Sequence, residues 1–176
     1  MGRERARLGP GAIVSALRVG TGFDAHRLVS GRPLRLGGVL IPHDRGLEGH
    51  SDGDCVVHAV CDALLGAAAA GDMGRHFPSS DPRWKDAPGS LFLGEVARIL
   101  GEHGYRPGNV DVTVIAEAPA LAPHLEGMRA RIAEGLGVPL ESVSVKAKST
   151  DHLGTIGRGE GIAAQATALL RRIGTE

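Results

Sequence analysis

The sequence predicts a single α/β domain of the α+β type, in which helices cover a β-sheet. Segments of alternating polarity interleave with segments of helical periodicity. The chain has 176 residues, enough for one domain with a real core. No internal repeat, low-complexity block or linker divides it. Residues 1–16 are Arg-rich, lack the apolar stretch of a secretory signal and read as a disordered tail; 17–173 reads as the domain.

Leu17–Gly20 reads as a first strand feeding a glycine-rich turn before Asp24. Leu34, Leu36 and Ile41 around Gly37-Gly38 suggest a bent strand pair across Pro33–Pro42, followed by a glycine- and acid-rich loop from Gly46 to Asp54. Asp54–Ala70 gives the clearest helix, with Val57, Leu64 and Leu65 on a core face and an Ala-rich end. Gly71–Pro88 has no periodicity and three prolines, and a loop this long is often functional. Ser90–His103 reads as a helix with Ser90 as N-cap. Val110, Val112 and Val114 alternate as a strand. Pro123 opens a helix through Leu125, Met128, Ile132 and Leu136, and Val143, Val145 and Ala147 alternate as another strand. Gly161–Ile173 is ambiguous: its Ala and Leu favour helix, while its small-apolar run also suits a buried strand.

Formal net charge is zero, from 20 basic and 20 acidic residues, so no basic excess argues for a nucleic-acid or membrane partner. Aromatics are 3%, so the core must be aliphatic and few rings remain to stack on a base. A bound nucleotide would be read mainly by backbone groups. Cys55 and Cys61 point to different faces of one helix and read as small buried residues of a reducing, cytoplasmic compartment. No apolar run is long enough to span a membrane.

The chemistry concentrates in Gly22-Phe23-Asp24-Ala25-His26 and His50-Ser51-Asp52-Gly53-Asp54 with His58. Four of the eight histidines, His26, His43, His50 and His58, fall in the first third of the chain. Asp24 and His26 leave the same face if their segment is extended. An Asp-x-His pair alone also fits an ordinary loop, and a histidine inside an apolar helix also fits a core residue. Together, one carboxylate and two imidazoles suit a divalent metal, zinc first, and three protein ligands leave a position open for catalysis. Asp54, His58 and Asp62, four residues apart, share a helical face.

In order along the chain, these motifs continue with Leu36-Gly37-Gly38-Val39, Asp62-Ala63-Leu64-Leu65-Gly66 and Gly71-Asp72-Met73-Gly74. Phe77-Pro78, Asp81-Pro82, Gly108-Asn109-Val110-Asp111, Val145-Lys146-Ala147 and Gly157-Arg158-Gly159-Glu160-Gly161-Ile162 follow. The set resembles the 2-C-methyl-D-erythritol 2,4-cyclodiphosphate synthases of the non-mevalonate isoprenoid pathway, from Leu17 to Leu170. The resemblance implies a mixed sheet, a homotrimer with sites between subunits, and a strand at Gly161–Leu170. It implies intramolecular phosphoryl transfer that closes a cyclic diphosphate and releases CMP. Asp24, His26 and His58 would hold Zn2+, and Asp151 would ligate Mg2+ or Mn2+ on the substrate diphosphate. His50 and Ser149 would be catalytic. Ser51, Asp72, Met73, Gly74, Phe77, Pro78, Ser79, Ser80, Asp81, Thr155 and Arg158 would hold the substrate. Ala116, Glu117, Ala118, Pro119, Ala120, Leu121 and Ala122, with Lys148 and Thr150, would hold the cytidine nucleotide.

Several positions depart from the family pattern. Ala120 stands where lysine is usual, Ser149 where threonine is, Asp151 where glutamate is, and Ser79 where aspartate is frequent. Thr155-Ile156 replaces an aromatic-containing pair at the trimer axis. Two other readings share the metal residues: a zinc phosphohydrolase, and a non-catalytic nucleotide-binding trimer.

Overall fold

The computed structural model describes residues 16–174. Of the expected tail, 1–15 lies outside them, and the Ala16 carbonyl accepts the Arg172 N–H at 2.9 Å. A long strand β1 (Leu17–Ser30) is followed by β2 (Leu34–Leu36), β3 (Val39–Ile41) and β4 (Arg45–Leu47). Helix α1 (Cys55–Ala67), one-turn helix α2 (Met73–His76), α3 (Gly89–Glu102) and β5 (Tyr105–Ile115) come next. Then follow α4 (Leu125–Leu136), β6 (Val143–Lys148), the one-turn helix α5 (Gly154–Gly157) and β7 (Gly161–Arg172).

The sheet order is β4-β1-β7-β5-β6, with β2 and β3 as a separate hairpin. Only the β5–β6 pair is parallel, so the sheet is mixed as expected. α1, α3 and α4 pack on one face of it. On β7, Ile162, Ala164, Ala166, Ala168 and Leu170 are buried towards the helices, while Gln165, Thr167 and Arg171 are exposed. β1 follows the same period of two, with Leu17, Val19 and Phe23 exposed on the open face at 51%, 66% and 61%. Among the described residues no helix is long and apolar enough to cross a membrane.

Three expectations need correction. The glycines before Asp24 make no turn. β1 runs straight through them, because Gly20 and Gly22 are where α1 lies against the strand. A Cβ on Gly22 would sit 2.1 Å from the Ala59 carbonyl oxygen and one on Gly20 would sit 2.2 Å from that of Ala63. Ser90 does not cap α3: Pro88 is the N-cap residue, and the first N–H, of Gly89, is instead accepted by Asp52 at 2.8 Å. Gly161–Arg172 is a strand, as the resemblance implied, because pairing with both β1 and β5 satisfies its backbone on two sides. Pro123 lies in a 3-10 turn that leads into α4, which itself starts at Leu125.

The α1–β1 contact leaves no room for a methyl group. Gly22→Ala should cost at least about 1–3 kcal/mol by overpacking. Equilibrium denaturation checks this, and an unchanged midpoint would contradict the contact.

Candidate metal centre

Asp24 and His26 project from β1 on the side that faces α1, paired with Ala164 and Ile162 of β7. His58 comes from the second turn of α1, its N–H donating to the Asp54 carbonyl at 3.0 Å. Asp54 fixes where that helix starts. Its fully buried carboxylate accepts from Val56 and Val57 at 3.1 Å each, and from Gly37 and Gly38 at 2.8 and 2.7 Å. Burial pushes the Asp54 carboxyl above the usual carboxylate range, against the pull of these N–H groups. One side chain thus ties the β2–β3 hairpin to the N-terminus of α1.

The three potential ligands converge. Asp24 Oδ2 lies 2.9 Å from His26 Nε2 and 2.9 Å from His58 Nδ1, and the two ring nitrogens are 3.3 Å apart. Two nitrogens this close, both facing one carboxylate oxygen, repel each other if both carry lone pairs or both carry protons. A divalent cation between the three atoms removes the conflict. Tetrahedral zinc at about 2.0–2.1 Å from its ligands spaces them at about 3.3 Å, so the donor set fits such an ion. Among the described residues this is the group whose donor atoms gather closely enough. Burial alone would raise the Asp24 carboxyl, but the hydrogen bonds and charge of His26 and His58 hold it well below the usual range. Asp24 in turn raises His26. The far sides of both rings are held: Ser51 Oγ lies 3.2 Å from His58 Nε2, and the Glu48 backbone hydrogen-bonds His26. With Ser51 accepting from Nε2–H, the Nδ1 lone pair is left facing Asp24.

The triad forms part of the wall of a cavity of about 260 Å³. His50, Ser51, Met73, Gly74, Phe77 and Ser79, among the residues the resemblance assigns to the site, also line it. Arg32 steadies the loop carrying His50, donating to the Gly49 and Ser51 carbonyls at 2.9 and 2.6 Å. Trp84, Phe92 and Asp62 complete the lining. Phe77, Trp84 and Phe92 pack edge-on or tilted with centroids 5.0–5.8 Å apart, and Phe92 also meets the His58 ring. Sequence reasoning missed Trp84 and Phe92. The signal was available: a chain with three Phe, one Trp and one Tyr places three of its five rings between positions 77 and 92. Asp62 accepts the Met73 N–H at 2.8 Å, which fastens α2 over the cavity, and burial raises its carboxyl.

Other expected residues lie apart from this cavity. Asp72 caps α2 through the Arg75 N–H, and half-buried Asp81 pairs with Arg83; neither lines the cavity, nor do Pro78 and Ser80. Ala116–Ala122 and Lys148–Asp151 meet each other at the C-terminal ends of β5 and β6. There the Ala116 N–H donates to the Lys148 carbonyl at 3.0 Å and the His152 N–H to Glu117 at 3.3 Å. Ala116 and Leu121 are buried, and the Ala118–Pro119 peptide is cis. Ser149 Oγ lies 3.3 Å from Asp151 Oδ1, and Asp151 and His152 both take left-handed φ values of 49° and 65°. Asp151 is not among the convergent metal donors. Thr155 lines a separate cavity of about 220 Å³ beside His26, and Arg158 pairs with Glu160 at 2.6 Å. Burial pushes the Cys55 and Cys61 thiols well up, so both stay neutral and unreactive.

A family model described as the YgbB family matches residues 17–171. The chain belongs to the YgbB family. A 2-C-methyl-D-erythritol 2,4-cyclodiphosphate synthase of Salinibacter ruber is 55% identical over 155 residues, which is 88% of this chain and 99% of that one. Among solved structures, the bifunctional IspDF of Campylobacter jejuni superposes with a TM-score of 0.86 at 38% identity. The match covers 89% of this chain and 42% of that longer one. IspF of Plasmodium falciparum, solved as a CDP complex, gives a TM-score of 0.78 at 31% identity over 90% of this chain and 97% of that one. The YgbB match spans every element from β1 to β7, so the donor cluster and both loop groups lie inside it.

If Ser51 orients His58, Ser51→Ala should weaken zinc binding about 10–100-fold without unfolding the chain. Competition against a chromophoric chelator measures this, and unchanged affinity would remove Ser51 from that role.

Proposed function

We infer that this chain is a phosphorus–oxygen lyase converting 4-diphosphocytidyl-2-C-methyl-D-erythritol 2-phosphate to 2-C-methyl-D-erythritol 2,4-cyclodiphosphate and CMP. The observation that carries this is the Asp24–His26–His58 cluster, set in one cavity with His50 and an aromatic wall, in a chain whose relatives bear that enzyme's name. The substrate's 2-phosphate oxygen bonds to the β-phosphorus, and the bond from that phosphorus to the CMP oxygen breaks. No protein nucleophile is needed, so positioning and charge do the work. Asp24, His26 and His58 would hold Zn2+, which, with Mg2+ or Mn2+ brought by the diphosphate, would supply charge to offset repulsion between two anions.

The chain's own groups divide the remaining tasks. His50, exposed at the cavity rim, hydrogen-bonds the reacting phosphates. Phe77, Trp84 and Phe92 cover the carbon skeleton of the methylerythritol and keep water from the phosphorus. The Ala116–Ala122 backbone reads the base. Lys148, Ser149 and Thr150 cover the diphosphate, with Asp151 on the second metal.

Neither Ala116–Ala122 nor Lys148–Asp151 lines the cavity that holds Asp24, His26 and His58, which supports an active site completed by a neighbouring protomer. The open sheet face with exposed Leu17, Val19 and Phe23 supports the same homotrimer, because an apolar strand face seldom stays in water.

Phosphorus NMR with this substrate, zinc and magnesium tests the reaction. Cyclic diphosphate should appear in step with CMP. CMP with an uncyclised product would mark a hydrolase, and nucleotide binding without turnover a binding protein. Ser149→Ala should lower kcat about 10²–10³-fold. Mixing it with inactive His58→Ala and reassembling the subunits should restore about a quarter of wild-type activity, since one site in four then combines two intact halves. No recovery on mixing would place each site within a single protomer.

A further inference from the structure

The end of the sheet away from the Ala116 loop carries a feature that the lyase reaction does not use. Tyr105–Gly108 opens β5, and there Arg106 stands directly opposite Arg171 of β7 in the antiparallel register. Like charges in this position destabilise a sheet. Neither guanidinium has a carboxylate partner among the described residues. Both line a cavity of about 480 Å³ that has no acidic residue in its wall. The rest of the wall is mostly apolar, with Leu136, Val138, Pro139 and Ile173, and the Ser142 side chain adds a hydroxyl. This cavity shares no lining residue with the one holding the metal donors.

The register itself shapes the site. Between Pro107 and Asn109 the β5–β7 pairing shifts, leaving Gly108 as the extra residue. A Cβ there would sit 3.3 Å from Arg171 Cγ and 3.4 Å from its Nε, so the Arg171 stem lies across the bare glycine. A bulge re-aims side chains locally, and here the Arg171 stem passes over Gly108, which is itself in the cavity wall. Two adjacent planar cations, each able to make paired hydrogen bonds, match an oxyanion bearing two charges. The apolar wall beside them matches a hydrocarbon body, and the volume falls within the range of small-ligand sites.

We propose that the cavity between β5, β7 and the α4–β6 connection binds a phosphate monoester with an apolar body. The bound dianion neutralises the Arg106–Arg171 pair, so the site's cost in the free protein is recovered on binding.

Calorimetric titration of the full chain with octyl phosphate tests this, in the presence of saturating CDP to block the nucleotide site. Saturable binding with a dissociation constant below about 1 mM is expected. Arg106→Gln and Arg171→Gln should each weaken it about 10–100-fold, the range for lost hydrogen bonds to a charged group. Inorganic phosphate and octanoate should each bind at least about tenfold more weakly, since each lacks one half of the recognition. Without ligand, Arg171→Gln should raise the melting midpoint by about 1–3 °C by removing the like-charge contact. No saturable binding, binding that survives in both variants, or equal affinity for octanoate or inorganic phosphate would overturn the proposal. So would a lowered midpoint in Arg171→Gln, which would make that arginine a packing residue.

Discussion

The site depends on how closely α1 lies on β1. Donor atoms about 3 Å apart, two from a strand and one from a helix, cannot meet across an ordinary helix–sheet spacing with short side chains. Gly20 and Gly22 remove the Cβ atoms that would hold α1 away, and the Ala residues at positions 59, 63 and 67 do the same from the helix. Asp24 and His26 are the next two residues on the same strand face, so they arrive beside His58 without reaching. The glycines cost chain entropy in a strand. Pairing with β7 from Leu17 to Arg27 offsets that cost, and β4 takes up the pairing from Leu28 to Ser30.

Register along α1 is the second requirement, because His58 must face the strand at one height. Asp54 sets it by capping the helix and gripping the Gly37-Gly38 turn at once. Asp52 adds a tether to α3 through the Gly89 N–H, and Arg32 holds the loop between. Several charged side chains near the site are therefore spent on fixing backbone and are unavailable to a ligand. Those left facing the cavity are the three clustered donors and His50, while Asp62 also lines it but is tied to the Met73 N–H. This division follows from desolvation: a buried carboxylate is tolerated where N–H groups or a cation meet it.

Much of this was legible in the sequence, for physical reasons that differ by element. The Asp24–His26 pairing followed from strand alternation, and His58 from the strength of the α1 pattern. Gly20 and Gly22 were misread because glycine signals a turn and a close approach alike, and only the partner helix distinguishes them. β7 was ambiguous because alanine serves a helix by propensity and a crowded central strand by size. The Ser90 cap failed because the acceptor that meets the Gly89 N–H, Asp52, lies 37 residues away. Trp84 was hidden in a long loop without periodicity, and Phe92 read as an ordinary apolar residue of the α3 helix. Ala116–Ala122 does not line the cavity of the Asp24–His26–His58 cluster, and nothing in the pattern of one chain carries a relation between copies of it.

Anomalous diffraction at the zinc edge, from crystals grown with zinc and CDP, tests the account most directly. A single strong peak is expected within about 2.0–2.2 Å of Asp24 Oδ2, His26 Nε2 and His58 Nδ1. The nucleotide bound at that centre should contact the Ala116–Ala122 segment of a neighbouring protomer. A peak held by other residues, or by His58 through Nε2 with Ser51 displaced, would contradict the convergence of β1 and α1 on one metal site.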